Sequence, residues 1–193
     1  AITSKQPTVK GDFFRYHVLE IRDGLGQDAQ VGQVLASYYK QVNEHNEKAF
    51  ADRKPAPVAK GEAKYVGMAE CEACHLEAQE VWEKTGHAKA YKTLVDDHKN
   101  FNLDCVGCHV TGYGKPGGST VTHNQTLRDV QCETCHGPGS LHIDDPENPK
   151  LITLKPDPKS CVDDCHHPPH VSGFDPVAKM ELVLGPGHGK EEE

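Results

Sequence analysis

The sequence predicts a mainly irregular chain with short α-helices and little β structure, and three observations predict it. All eight cysteines fall in one repeated pattern: Cys71-Glu72-Ala73-Cys74-His75, Cys105-Val106-Gly107-Cys108-His109, Cys132-Glu133-Thr134-Cys135-His136, and Cys161-Val162-Asp163-Asp164-Cys165-His166, the last with one added residue. Leu, Ile, Val and Phe number 38 of 193 residues and the formal charge is −8, too little apolar surface for an ordinary core. The spans between motifs are rich in glycine and proline, which favour turns over long elements.

C-x-x-C-H reads as an attachment site for haem c. Two thiols add to the two vinyl groups of one porphyrin, and the adjacent histidine supplies the proximal nitrogen to its iron. Zinc ribbons use paired cysteines with no fixed residue after each pair. A thioredoxin-like motif occurs once, within a βαβ unit. A disulfide framework has no use for the histidine. Four such sites with no cysteine left over predict four haems c, held by Cys71 and Cys74, Cys105 and Cys108, Cys132 and Cys135, and Cys161 and Cys165, with His75, His109, His136 and His166 as proximal ligands. In the fourth motif the porphyrin fixes the sulfur-to-sulfur span, so the added residue must bulge outward. The proximal histidines lie 34, 27 and 30 residues apart. So little protein per group cannot hold the groups apart, and the expected fold is a multihaem cytochrome c organised around four stacked haems.

Element by element, residues 1–28 read as an extended arm with an apolar patch at Phe13, Phe14, Tyr16, Val18, Leu19 and Ile21. Asp28 is placed to cap an amphipathic helix over 29–51, whose apolar stripe is Val31, Val34, Leu35, Tyr38, Val42, Ala49 and Phe50. Residues 52–64, with two prolines and three lysines, read as a linker, and 65–193 as the tetrahaem domain. Within it the sequence predicts helix from Glu70 to Lys84, a break at Gly86, and helix again to Val95. Ser119–Thr122 and Leu127–Gln131 are expected to pair as a short ribbon, and Val177–Leu184 to form a last helix. Gly112-Tyr113-Gly114-Lys115-Pro116-Gly117 matches G-x-G-x-x-G but lacks the strand and βαβ context of a dinucleotide site. The aspartate pairs at 96–97, 144–145 and 163–164 read as solvated turns, and Asn124-Gln125-Thr126 is a formal glycosylation sequon.

Nine histidines and two methionines, Met68 and Met180, remain for the second axial position on each iron. Two methionines cannot serve four irons, so bis-histidine ligation is expected, with potentials lower than methionine ligation gives. His87 follows Trp82 at the Gly86 break, His142 lies beyond the Gly137-Pro138-Gly139 reversal and so reaches an iron other than that of His136, and His188 sits between glycines that allow close approach. For the fourth position two candidates stay open: His170, after Pro168-Pro169, and His17 in the arm, acting on a neighbouring subunit. His45, His98 and His167 read as structural, and His123 is unassigned.

The block Ala69–Gly189 resembles the multihaem cytochromes related to the tetrahaem electron acceptor of ammonia oxidisers. The residues that carry this are Cys71-x-x-Cys74-His75 with Trp82 and His87-Ala88, and Cys105-Val106-Gly107-Cys108-His109-Val110-Thr111-Gly112-Tyr113. Cys132-Glu133-Thr134-Cys135-His136-Gly137-Pro138-Gly139-Ser140 with His142, and His188-Gly189, complete it. The resemblance implies His87, His142 and His188 as distal ligands. The layout is also similar to OmcE-type extracellular cytochrome filaments, whose subunits polymerise with one iron taking a neighbour's histidine. The widened fourth motif and the arm depart from that pattern.

The expected function is electron transfer along the haems, not catalysis, since every motif ends in histidine and spare histidines abound. Expected partners are further copies of the chain, in a homopolymer with haem-to-haem contact between subunits, and redox partner proteins or extracellular acceptors in anaerobic respiration. A monomeric periplasmic shuttle is the alternative, and a nitrite or hydroxylamine reductase a more distant one. The acidic balance argues against nucleic acid, and no apolar run is long enough to span a membrane. Covalent attachment of haem c takes place outside the inner membrane. The expected location is therefore extracellular or at the cell surface, or else periplasmic, with an export signal removed.

Overall fold

A computed structural model describes residue 26 and residues 28–188, and the chain divides into two units, residues 1–35 and residues 36–193. The arm over 1–28, and His17 with it, lies almost wholly outside the described residues.

Asp28 caps helix α1 (Ala29–Ala49): its Oδ1 accepts the backbone N–H of Gln30 at 2.9 Å and of Val31 at 3.0 Å, an arrangement worth about 1 kcal/mol. Only the C-terminal end of the expected apolar stripe packs, with Val42 half-buried and Phe50 against the core. Val31, Val34, Leu35 and Tyr38 are all exposed. In the second unit α1 is anchored by amides instead. Asn43 donates to Asn100 Oδ1 at 2.9 Å and accepts the Phe101 N–H at 2.7 Å, while buried Asn46 donates to the Phe101 carbonyl at 2.9 Å. The segment read as a linker is stitched to the domain, because the Arg53 and Ala56 carbonyls accept from Thr120 Oγ1 and the Gly117 N–H.

The protein core is small, as the composition requires: Tyr91, Leu94, Val106, Val110 and Val121, with Phe50, Phe101 and Tyr113 packed against it. It brings α4 (Ala90–Asp96) against the second motif. Around it run short helices: α2 (Met68–Cys71), α3 (Leu76–Glu83), α5 (Cys132–His136), α6 (Ser140–Asp144), α7 (Lys159–Asp164) and α8 (Pro176–Met180). No strand forms among the described residues, only isolated bridges from Val110 to Arg128 and from Tyr113 to Ser119.

Three expected elements differ. The helix over Glu70–Lys84 is split into α2 and α3 because the first motif turns between them: Cys74 and His75 both donate to the Cys71 carbonyl, at 3.2 and 3.0 Å. The ribbon is absent because Ser119 and Arg128 bridge to Tyr113 and Val110 rather than to each other's segments. Between them, buried Asn124 donates to the carbonyls of Thr120 and Val121 and accepts from Arg128 Nε. Its amide is therefore committed to a turn, and the sequon presents no free acceptor for a glycan. The last helix begins where Asp175 caps it and Pro176 opens it, and ends at Met180, four residues early.

Candidate haem-binding site

Each motif presents its histidine from a different local structure. The first leaves α2 at Cys71 and delivers His75 at the N-terminus of α3. The second is a 3₁₀ turn over Val106–Cys108. The third is helix α5 in its entirety. In the fourth, on α7, Cys165 and His166 both donate to the Cys161 carbonyl, at 3.3 and 2.7 Å. One helical turn thus takes up the added residue, with Asp163 and Asp164 exposed.

Three motif histidines face a second imidazole from a distant part of the chain. His75 faces His142 with ring centroids 6.2 Å apart, His166 faces His87 at 6.1 Å, and His136 faces His188 at 6.4 Å. Two imidazoles sharing one iron through bonds of about 2.0 Å place their centroids roughly 6.3 Å apart. The three separations match that span, and direct stacking would bring the rings much closer. His142 Nδ1 is buried without a hydrogen-bond partner, a costly state for a polar atom unless a ligand claims it. The donor set therefore fits iron.

The environment of each ring supports the same chemistry. His109 and His136 point Nδ1 at backbone carbonyls, of Ala90 at 2.5 Å and of Thr153 at 2.6 Å. Such bonds fix the tautomer and leave Nε2 for a metal. Burial lowers the proton affinity of His87, with a smaller contribution from His166. It does the same for His166, and for His188 with help from His136 and His75. Neutral imidazole is the form that binds a metal. Phe174 stacks on His166 at 4.2 Å and 11°. Gly187 (φ 80) lets His188 approach α3, since a Cβ there would lie 2.6 Å from the Ala78 nitrogen. The carbonyls of Ala90 and Thr153 left no sequence signal, because any residue supplies a carbonyl.

The remaining assignments are less complete. His109 has no facing imidazole among the described residues, and His170 is exposed with no ring contact to it. His45, His98 and His167 lie opposite no motif histidine, and His123 Nδ1 meets the Thr122 hydroxyl at 3.1 Å. The loop from Gly112 closes on itself, through bonds from Ser119 to Gly112 and from Gly114 to Ser119, and forms no phosphate cradle.

None of the eight cysteines is in a disulfide, yet they approach one another between motifs. Cys71 and Cys132 interact side chain to side chain, which raises the pKa of Cys71 and lowers that of Cys132. Burial, then the neighbouring Cys161, raises Cys135 to about 11. Burial, then contact with Cys108, raises Cys165 to about 12. Large apolar side chains adjoin the motifs with their faces exposed: Leu76 beside His75, Leu103 before Cys105, Ile143 beside His142.

Residues 70–137 match the family described as Cytochrome c554 and c-prime. Across that segment the chain is similar to c-type cytochromes. Cytochrome c-554 of Nitrosomonas europaea is 37% identical over 94 residues, which cover 40% of this chain and 40% of that protein. The chain thus spans about two-fifths of the length of this curated relative. No solved structure matches. The similarity supports haem c and haem-based electron transfer for the matched segment, which contains the first three motifs and His87. The fourth motif, His142 and His188 lie beyond it and rest on the geometry above. No described helix is long and apolar enough to cross a membrane.

Proposed function

We propose that the chain is an electron-transfer protein carrying four haems c, three of them bis-histidine, through His75 with His142, His166 with His87, and His136 with His188. The observation that carries this reading is the set of three imidazole pairs at 6.1–6.4 Å, each joining a motif histidine to a distant one. When bound, the haems supply one-electron iron redox chemistry. The protein fixes the axial nitrogens and brings the attachment loops together. The cysteine contacts order those loops in space as first, third, fourth, second, a continuous series in which each group lies beside the next. Native-state spectroscopy with carbon monoxide tests the ligation: at least three of four ferrous haems must be inert to it.

The finer reading concerns His109. An unfaced motif histidine fits a subunit of an extracellular cytochrome filament in which His17 of one copy binds the iron held by His109 of the next, with electrons passing between subunits. The same observation fits a monomeric periplasmic shuttle with one open iron, or a reductase that uses it. These readings separate by state. Filaments bind no carbon monoxide until dispersed, whereas an always-monomeric protein binds one per four haems, and a reductase also turns over nitrite or hydroxylamine at that iron.

A further inference from the structure

Glu133 is the first variable residue of the third motif, a position where haem attachment needs no carboxylate. It is nevertheless 2% exposed. Its Oε1 accepts the backbone N–H of Gly139 at 2.7 Å and of Val66 at 3.0 Å, and its Oε2 accepts those of Gly67 at 2.8 Å and Val66 at 3.1 Å. Every contact is accepted, the pattern of an ionised carboxylate. No Lys or Arg pairs with it among the described residues.

The groups it holds bracket the pair formed by His75 and His142. Gly67 (φ 88) opens α2, which leads to Cys71 and His75, and a Cβ on Gly67 would lie 2.7 Å from the Thr126 carbonyl oxygen. Gly139 opens α6, which carries His142. One carboxylate in the third attachment loop thus ties down both sides of the first iron site.

We propose that Glu133 is a positioning residue for the His75–His142 pair and that its buried charge lowers the potential of the iron between them. A negative charge in a medium of low dielectric favours the more positive ferric state. This rests on the reading of the chain as a tetrahaem protein.

The test uses the holoprotein, with four haems first established by intact mass; fewer than four in the wild type would sink the haem reading rather than this one. Glu133→Gln sets an amide donor against the N–H of Gly139 or Gly67 and removes the charge. The expected result is an upward shift of one of four midpoint potentials, with a changed low-spin resonance for one haem. Glu133→Asp keeps the charge but is one methylene short. Its potential should return toward wild type while the altered resonance persists. Four unchanged potentials and resonances in Glu133→Gln, or a uniform change in all four, would overturn the proposal. If that variant does not accumulate, amide exchange in the wild type decides, with slow exchange at Gly67 and Gly139 expected and fast exchange at both overturning it.

Discussion

His142 faces His75 at 6.2 Å between ring centroids, inclined by 26°, with its Nδ1 buried and unpartnered. The chain holds this geometry by backbone bonds on both sides, so a change to the imidazole alone removes a ligand without removing a haem. His142→Ala should retain four covalent haems by mass while one haem more than in wild type becomes high-spin and binds carbon monoxide. A variant that binds no more carbon monoxide than wild type would show that His142 is not an axial ligand.

Haem load is the next expectation. With all eight cysteines in thioethers, denatured protein carries four haems by intact mass and no alkylatable thiol. The fourth motif is the sensitive one. Three haems with Cys161 and Cys165 free would show that the α7 turn does not accept a porphyrin.

Gly187 is where close packing of α3 is most exposed to substitution. Gly187→Ala places a methyl 2.6 Å from the Ala78 nitrogen and 2.8 Å from its Cβ, at a φ of 80. The left-handed conformation costs about 1–2 kcal/mol and the overlap about 1–3 more. The expected phenotype is a lower melting temperature, with carbon monoxide binding at one haem as His188 is displaced.

Asp129 gives a pH dependence. Burial raises its carboxyl above the ordinary value, against the lowering by the Tyr91 N–H, Arg128 and His109. A carboxyl raised on folding adds stability below its unfolded value of 3.8 and loses that contribution as pH rises through the folded value. Asp129→Asn keeps the acceptor for Tyr91 at 2.8 Å and tolerates the positive φ of 72. Relative to wild type it should therefore gain stability as pH rises from the unfolded value of 3.8 toward neutrality. Thermal melts of both proteins across that range check the sign. Asp129→Ala strands the Tyr91 N–H and should cost about 1–3 kcal/mol.

The assembly reading predicts that His17→Ala, or removal of residues 1–28, gives soluble tetrahaem monomers with one haem open to carbon monoxide. Polymers of His17→Ala with every iron low-spin would exclude His17 as the ligand from the neighbouring copy.

Much of the site was legible because its chemistry is local. Attachment needs two cysteines and a histidine within one turn, so the motifs declare themselves, and the turns before His142 and His188 mark chain reversals. Partner choice was not legible in the residues alone. That His87 meets His166, and His136 meets His188, depends on long-range returns of the chain that no short pattern encodes. The α1 stripe misled for a physical reason: periodicity reports what a helix is able to bury, while Asn43 and Asn46 decide where this one is anchored. Glu133 escaped notice because an acid in a variable motif position looks solvated until Gly67 and Gly139 converge on it.

The crossed pairing also sets an order of maturation. A chain made from its N-terminus presents His75 well before His142, so the first pair waits until the third motif has been made. His87 waits until His166 arrives on α7, and the pair of His136 is completed last, because His188 comes after every attachment loop. On the proposed ligation the facing pairs are therefore completed in the order first, fourth, third motif. On the proposed ligation, a chain cut short just before His188 would keep all four attachment loops and leave His136 with no facing imidazole.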